Sequence, residues 1–199
     1  MIYVRMVPGS PFVRKCRVAA AHLGLASRVT FVDAHDDKDD ALRKHNPLHK
    51  IPVALLEDGS ALFDSVVILE YFDHLAGGGK IIPAEPAARF RVLTLEALAD
   101  GLMDACILLG YESRYREPRE RSQRWLDMQQ AKIDGALNFL EAAPPPGEID
   151  AGAIALACAL GFLDLRHGGV WRATNPELVA WLDAFAARVP AFEATRAAK

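Results

Sequence analysis

Ser10-Pro11-Phe12-Val13-Arg14-Lys15-Cys16 follows a short β-favouring run and a Pro8-Gly9 turn, and so puts a hydroxyl where a helix begins. Serine is a favoured N-cap and proline suits the first helical position, so Ser10 starts a helix on those grounds alone. The position can also do chemistry. An N-cap hydroxyl stands beside unpaired backbone N–H groups and the positive end of the helix dipole, where a bound thiolate is stabilised. The two roles are compatible. A second junction of this kind is Phe63-Asp64-Ser65-Val66, where Asp64 or Ser65 caps an amphipathic helix. Free N–H groups there suit a carboxylate and the Asp64 side chain suits an ammonium, which together are the two charges of an α-amino acid. Between these junctions, Lys50-Ile51-Pro52-Val53 starts a strand with proline, a mark of an edge position or, in a minority of cases, a cis peptide. A cis bond would present the Val53 backbone for pairing with an extended peptide ligand.

Other candidates carry less. His45 and His49 are four apart, but Pro47 breaks the helical face that a metal pair needs, so no metal site is expected. Arg114, Arg116, Arg119, Arg121 and Arg124 alternate with Glu112, Glu117 and Glu120, the pattern of a solvated helix surface. Cys16 lies inside the first helix and packs rather than attacks, and Cys106 and Cys158 fall on apolar faces. Tyr111, Trp171 and Arg172 are open between pocket lining and core.

The elements that must position these residues can be read from periodicity. A strand at 2–4, a helix over 11–23 stopped by Gly24, a strand at 29–32, a polar helix or turn at 36–44, a hairpin of 52–56 with 61–63, and a helix at 65–75 give βαβαββα. Gly77-Gly78-Gly79 with Pro83 and Pro86 ends this unit. Beyond it the sequence is helical: a helix over 89–109 with Leu95, Ala99, Leu102, Cys106 and Leu109 on one stripe, one over 117–142, an apolar one over 151–166 capped by Asp150, and one starting at Asn175-Pro176. The fold class is α+β. Residues 1–78 form the first domain, 79–86 a linker, and 87–199 an all-α second domain.

At 199 residues and 51% apolar content the chain can bury a core without disulfides. A net charge of −3 gives no basic footprint, which excludes nucleic acid as an expected partner. Three separated cysteines suggest neither a disulfide framework nor a zinc cluster, and the N-terminus lacks a secretory signal, so a cytoplasmic protein is expected. The apolar run at 151–163 is too short to span a bilayer, so no membrane partner is expected either.

In order and spacing, Ser10-Pro11-Phe12, Asn46-Pro47-Leu48-His49-Lys50-Ile51-Pro52-Val53, Asp64-Ser65, Ile82-Pro83-Ala84-Glu85-Pro86 and Ala99-Asp100-Gly101-Leu102 resemble the cytosolic glutathione S-transferase family, bacterial serine-type members in particular. The resemblance implies a thioredoxin-like N-terminal domain that binds glutathione, an all-α C-terminal domain that supplies the second-substrate pocket, and a homodimer. It implies Ser10 as the thiol-activating residue, Val53 after a cis Pro52 as the partner of the cysteinyl backbone, and Phe12 and Ile51 as further glutathione-binding residues. Asp64 and Ser65 would hold the γ-glutamyl end, and His49 or Lys50 the glycyl carboxylate. Asp100 would reach the glutathione of the other subunit. Glutathione is then a co-substrate, and the partner molecule is a small electrophile to be conjugated or reduced. A non-catalytic glutathione-binding or protein-interaction module, and a glutathione-dependent disulfide reductase or peroxidase, are the alternatives. The sequence departs from the family pattern in two places. Ala153 leaves only half of the capping box at Asp150, and Pro8-Gly9 offers Ser10 no deputy hydroxyl. An S-S-C-x-W signature is absent, which argues against a maleylacetoacetate isomerase. Exposed Phe90, Val92, Leu93 and Met103 outside the main stripe are the expected dimer surface.

Overall fold

A computed structural model describes residues 1–34 and 40–197. The chain starts with strand β1 (Ile2–Met6) and helix α1 (Pro11–His22), then β2 (Val29–Asp33), α2 (Asp40–His45), β3 (Val53–Leu55), β4 (Ala61–Leu62) and α3 (Ser65–Leu75). These follow the order read from the sequence, although residues 36–39 of the expected polar helix or turn lie outside the described residues. The four strands form one sheet in the order β2-β1-β3-β4. β1 and β2 run parallel, so a crossover must join them, and α1 supplies it. β1 with β3 and β3 with β4 are antiparallel, with Arg5 opposite Val53 and Ala54 opposite Leu62.

Five helices follow: α4 (Pro86–Tyr115), α5 (Gln123–Ala142), α6 (Ala151–His167), α7 (Pro176–Arg188) and α8 (Pro190–Ala194), with 3-10 turns at Pro118–Glu120 and Val170–Ala173. α4 starts earlier than its apolar stripe, because Glu85 caps it through the N–H groups of Ala87 and Ala88 at 2.9 and 2.7 Å, and it runs on past the stripe to Tyr115. The helix expected from residue 117 starts instead at Gln123. Ser122 caps it, and Glu112 accepts the Ser122 N–H at 2.8 Å, which turns the chain between α4 and α5. α6 is apolar on every side, as the central helix of a bundle must be. Its cap is Asp150, whose Oδ1 accepts from Ala153 N at 2.8 Å.

The glycine-rich linker is not a loose tether. Buried Asp73 accepts the N–H groups of Gly79, Lys80 and Ile81 at 2.7, 2.8 and 2.7 Å, and the Ile81 carbonyl accepts from Ala151 N at the start of α6. The two halves therefore share one core. α1 lies at its centre, packed on α3, α6 and α8, and four consecutive α1 residues, Val13 through Cys16, are buried. Four in a row cover every side of a helix, so two charged residues, Arg14 and Lys15, are forced inside. Among the described residues, no helix is long and apolar enough to cross a membrane.

Candidate functional site

The strand register brings three sequence-predicted segments to one end of the sheet. β1 leads into Ser10 from the end where Arg5 pairs with Val53. Val53 opens β3 directly after Pro52, and β4 leaves the sheet at that same end to reach Asp64. The N-termini of α1 and α3 thus flank the start of β3, each with the orphan N–H groups of a first helical turn.

Ser10 is the N-cap of α1, half-buried, with Oγ accepting from Val13 N at 3.3 Å. That bond uses a lone pair. A hydroxyl also has one proton to donate, so capping and thiolate binding draw on different parts of the same group. Asp64 is the N-cap of α3, with Oδ1 accepting from Val66 N at 3.1 Å, and Ser65 is the first helical residue, 2% exposed. This resolves which of the pair caps.

The Ile51–Pro52 bond is cis. Val53 lies within the sheet, fully buried, while Ile51 is half-buried just outside the strand. The preceding loop is held by buried Asn46, which accepts from Leu48 N at 3.0 Å and donates Nδ2 to the Lys50 carbonyl at 2.9 Å. Asn46 stands in a segment that the sequence marked, but its positioning role has no signature there. His49 adopts φ 53°, and both it and Lys50 are exposed. Phe12 packs partly buried against the core.

Asp100 forms a bond within its own chain, with both carboxylate oxygens on Lys15 Nζ at 2.8 and 2.9 Å, and Lys15 also meets Glu96 at 3.0 Å. Lys15 is 0% exposed. Burial alone would lower its pKa, but Asp100 and Glu96 outweigh burial and raise it. Asp104, one turn beyond Asp100 on α4, has its carboxyl raised by burial, with Lys50 opposing and Asp64 adding to the rise. Asp64, Asp100 and Asp104 therefore share one electrostatic neighbourhood inside a single chain. The i,i+4 spacing of Asp100 and Asp104 was the available signal for Asp104.

On its other side Ser10 borders a cavity of about 330 Å³, also lined by Gly9, Arg14, Gly161, Phe162 and Arg172. Of the residues left open between pocket and core, Arg172 lines this cavity, Trp171 is buried with Nε1 donating to Asp164 at 2.9 Å, and Tyr111 is exposed elsewhere. Cys158 is also in the wall, but burial pushes its thiol up to about 12, as it does for Cys106, and Cys16 is raised too. None of the three is a nucleophile near neutral pH.

Comparison with known proteins adds the family. The profile described as "Glutathione S-transferase, N-terminal domain" matches residues 9–75, and that for the C-terminal domain matches residues 123–184. An uncharacterized GST-like protein of Escherichia coli (strain K12), YibF, is 34% identical over 179 residues, covering 85% of this chain and 86% of its own. A glutathione transferase family member from Pseudomonas fluorescens Pf-5, crystallised with bound glutathione, is 41% identical over the whole of both chains, with a TM-score of 0.93. A second structure from that source, 40% identical and with a TM-score of 0.89, again over the whole of both chains, holds S-(propanoic acid)-glutathione.

Proposed function

The chain belongs to the glutathione S-transferase family, and from that premise we propose that it binds glutathione at the shared end of the sheet and activates its thiol at Ser10 for attack on a small electrophile. The observation that carries the reading is the convergence of two capped helix N-termini on the start of β3, one of them bearing a hydroxyl whose proton is available. The γ-glutamyl carboxylate meets the N–H groups at the start of α3, and its ammonium meets Asp64, in a field strengthened by Asp104. The cysteinyl backbone lies along Ile51 and Val53, and Lys50 or His49 faces the glycyl carboxylate.

Ser10 acts as a donor and not as a nucleophile. One hydrogen bond to a charged group contributes about 1.5–3 kcal/mol, which lowers a thiol pKa by roughly one to two units. The thiolate then forms a bond to an electrophilic carbon that is presented from the cavity beside Ser10. One observation on a relative favours conjugation over disulfide reduction. The relative from Pseudomonas fluorescens holds a glutathione whose sulfur carries a propanoic acid group. Its three cysteines are buried with raised pKa values, so in this chain glutathione supplies the reacting sulfur in either reaction. We also infer a cytoplasmic homodimer.

The test is turnover of an aryl halide, a hydroperoxide and a disulfide by the wild type and by Ser10→Ala. Conjugation that falls about tenfold or more in Ser10→Ala supports the reading. Unchanged conjugation would remove Ser10 from the mechanism. Tight glutathione binding with no turnover of any of the three would make the chain a binding module.

A further inference from the structure

The cavity beside Ser10 is walled by guanidinium groups whose charges are unequally compensated. Arg172 forks onto Asp164, Nε to Oδ1 at 2.9 Å and Nη2 to Oδ2 at 2.6 Å. Arg196 forks onto Glu193 at 2.9 and 2.7 Å. Arg14 is different. It is only 8% exposed, yet among the described residues it has no carboxylate within ion-pair distance. Its Nη2 donates to the Phe192 carbonyl at 2.6 Å, its Nε reaches the Thr195 hydroxyl at 3.4 Å, and the group lies 3.9 Å over the Phe192 ring. Nη1, for which no acceptor stands among the described residues, lies against Gly161 in the cavity wall. A Cβ at Gly161 would stand 2.4 Å from it, so glycine is what leaves the guanidinium its place.

A buried cation without a counter-charge is unfavourable, and burial draws the Arg14 pKa below its ordinary value. A wall that keeps such a cation beside a reactive position suits a ligand that brings the missing charge. We propose that this cavity takes electrophiles bearing a carboxylate, which is received by Arg14 Nη1, leaving the reactive carbon toward Ser10. The proposal rests on the thiol-activation reading above. Phe162, Leu165 and Pro11 supply apolar wall for the body of the ligand, and about 330 Å³ suits a small aromatic or short-chain acid. A planar guanidinium matches a carboxylate better than an ammonium would.

The experiment uses 4-chloro-3-nitrobenzoate and its methyl ester. In both, the thiolate sulfur bonds to the carbon that bears chlorine, chloride leaves with the electron pair, and the thiol proton passes to solvent. Each enzymatic kcat/KM is divided by the uncatalysed rate constant with glutathione. The wild type is expected to favour the acid over the ester by about tenfold or more, and Arg14→Gln, which keeps an amide donor for the Phe192 carbonyl, to bring that ratio near one. Equal normalised rates in the wild type, or an unchanged preference in Arg14→Gln, would overturn the proposal while leaving thiol activation standing. Calorimetry with 3-nitrobenzoate gives a readout free of turnover: binding to the wild type is expected, weakened about tenfold or more in Arg14→Gln, and no binding by the wild type overturns the proposal. Binding through Arg14 without conjugation of either compound would keep the anion site and remove the thiol-activation reading instead.

Discussion

The cap that Ser10 makes and the chemical role proposed for it do not compete, since it caps α1 with a lone pair and keeps its proton. As a cap alone, its loss in Ser10→Ala costs about 1 kcal/mol, so a large fall in turnover with a small fall in the unfolding midpoint separates the two uses. Asp64 and Ser65 admit a similar test. Replacing both by Ala is expected to weaken glutathione binding by about tenfold or more in calorimetry, and unaltered affinity would reject their place at the γ-glutamyl end. Cys16, Cys106 and Cys158 are expected to be dispensable for conjugation, and a triple Ala variant that folds but is inactive would contradict this. At this scale the capping residues were legible, because caps are local and written in one or two letters. The Lys15–Asp100 pair was not legible, because the two residues lie on different helices and no local pattern announces a pair 85 residues apart.

Among the elements, α1 carries the most constraint, since it is buried on all sides and joins the sheet to α6. Lys15 ties it to α4 through Glu96 and Asp100. Lys15→Met leaves two carboxylates buried without their cation and is expected to cost about 3–5 kcal/mol in urea unfolding, with Glu96→Gln in the same chain restoring part of it. The sign with pH follows from the raised Lys15 pKa. Its stabilisation is fully present below the ordinary 10.5 and is lost as pH climbs through the higher folded value. The stability gap between wild type and Lys15→Met should therefore narrow in strongly alkaline solution, where Lys15 loses its proton, and in acid, where the raised Glu96 and Asp100 carboxyls take one up, and a gap insensitive to both would contradict the ion-pair account. The helices themselves were legible from apolar periodicity. Their ends were not where capping came from outside the stripe, as with Glu85 before α4 and Ser122 before α5. Nothing in the sequence marked Arg14 and Lys15 as interior, since the groups that meet them lie on distant elements: Phe192 and Thr195 for Arg14, Glu96 and Asp100 for Lys15.

On the scale of the whole molecule, the order of elements specified a sheet domain followed by a helical one, and the sheet register brings the segments of the candidate site to one end. The expected dimer surface was read less well. Val92 and Met103 are buried within the chain because α4 packs on both α5 and α6, and Leu93 is half-buried. Phe90 is 66% exposed, and Tyr115 and Phe139 are similarly open, so the proposed homodimer rests on these. Light scattering is expected to give twice the chain mass, and Phe90→Ser to shift it toward the monomer. The central claim is that the thiol of bound glutathione is ionised by Ser10, and titration of its ultraviolet thiolate absorbance in the binary complex tests it most directly. We expect a pKa well below that of free glutathione in the wild type, restored upward by roughly one to two units in Ser10→Ala. The same pKa in both proteins, with glutathione bound to each, would contradict the account.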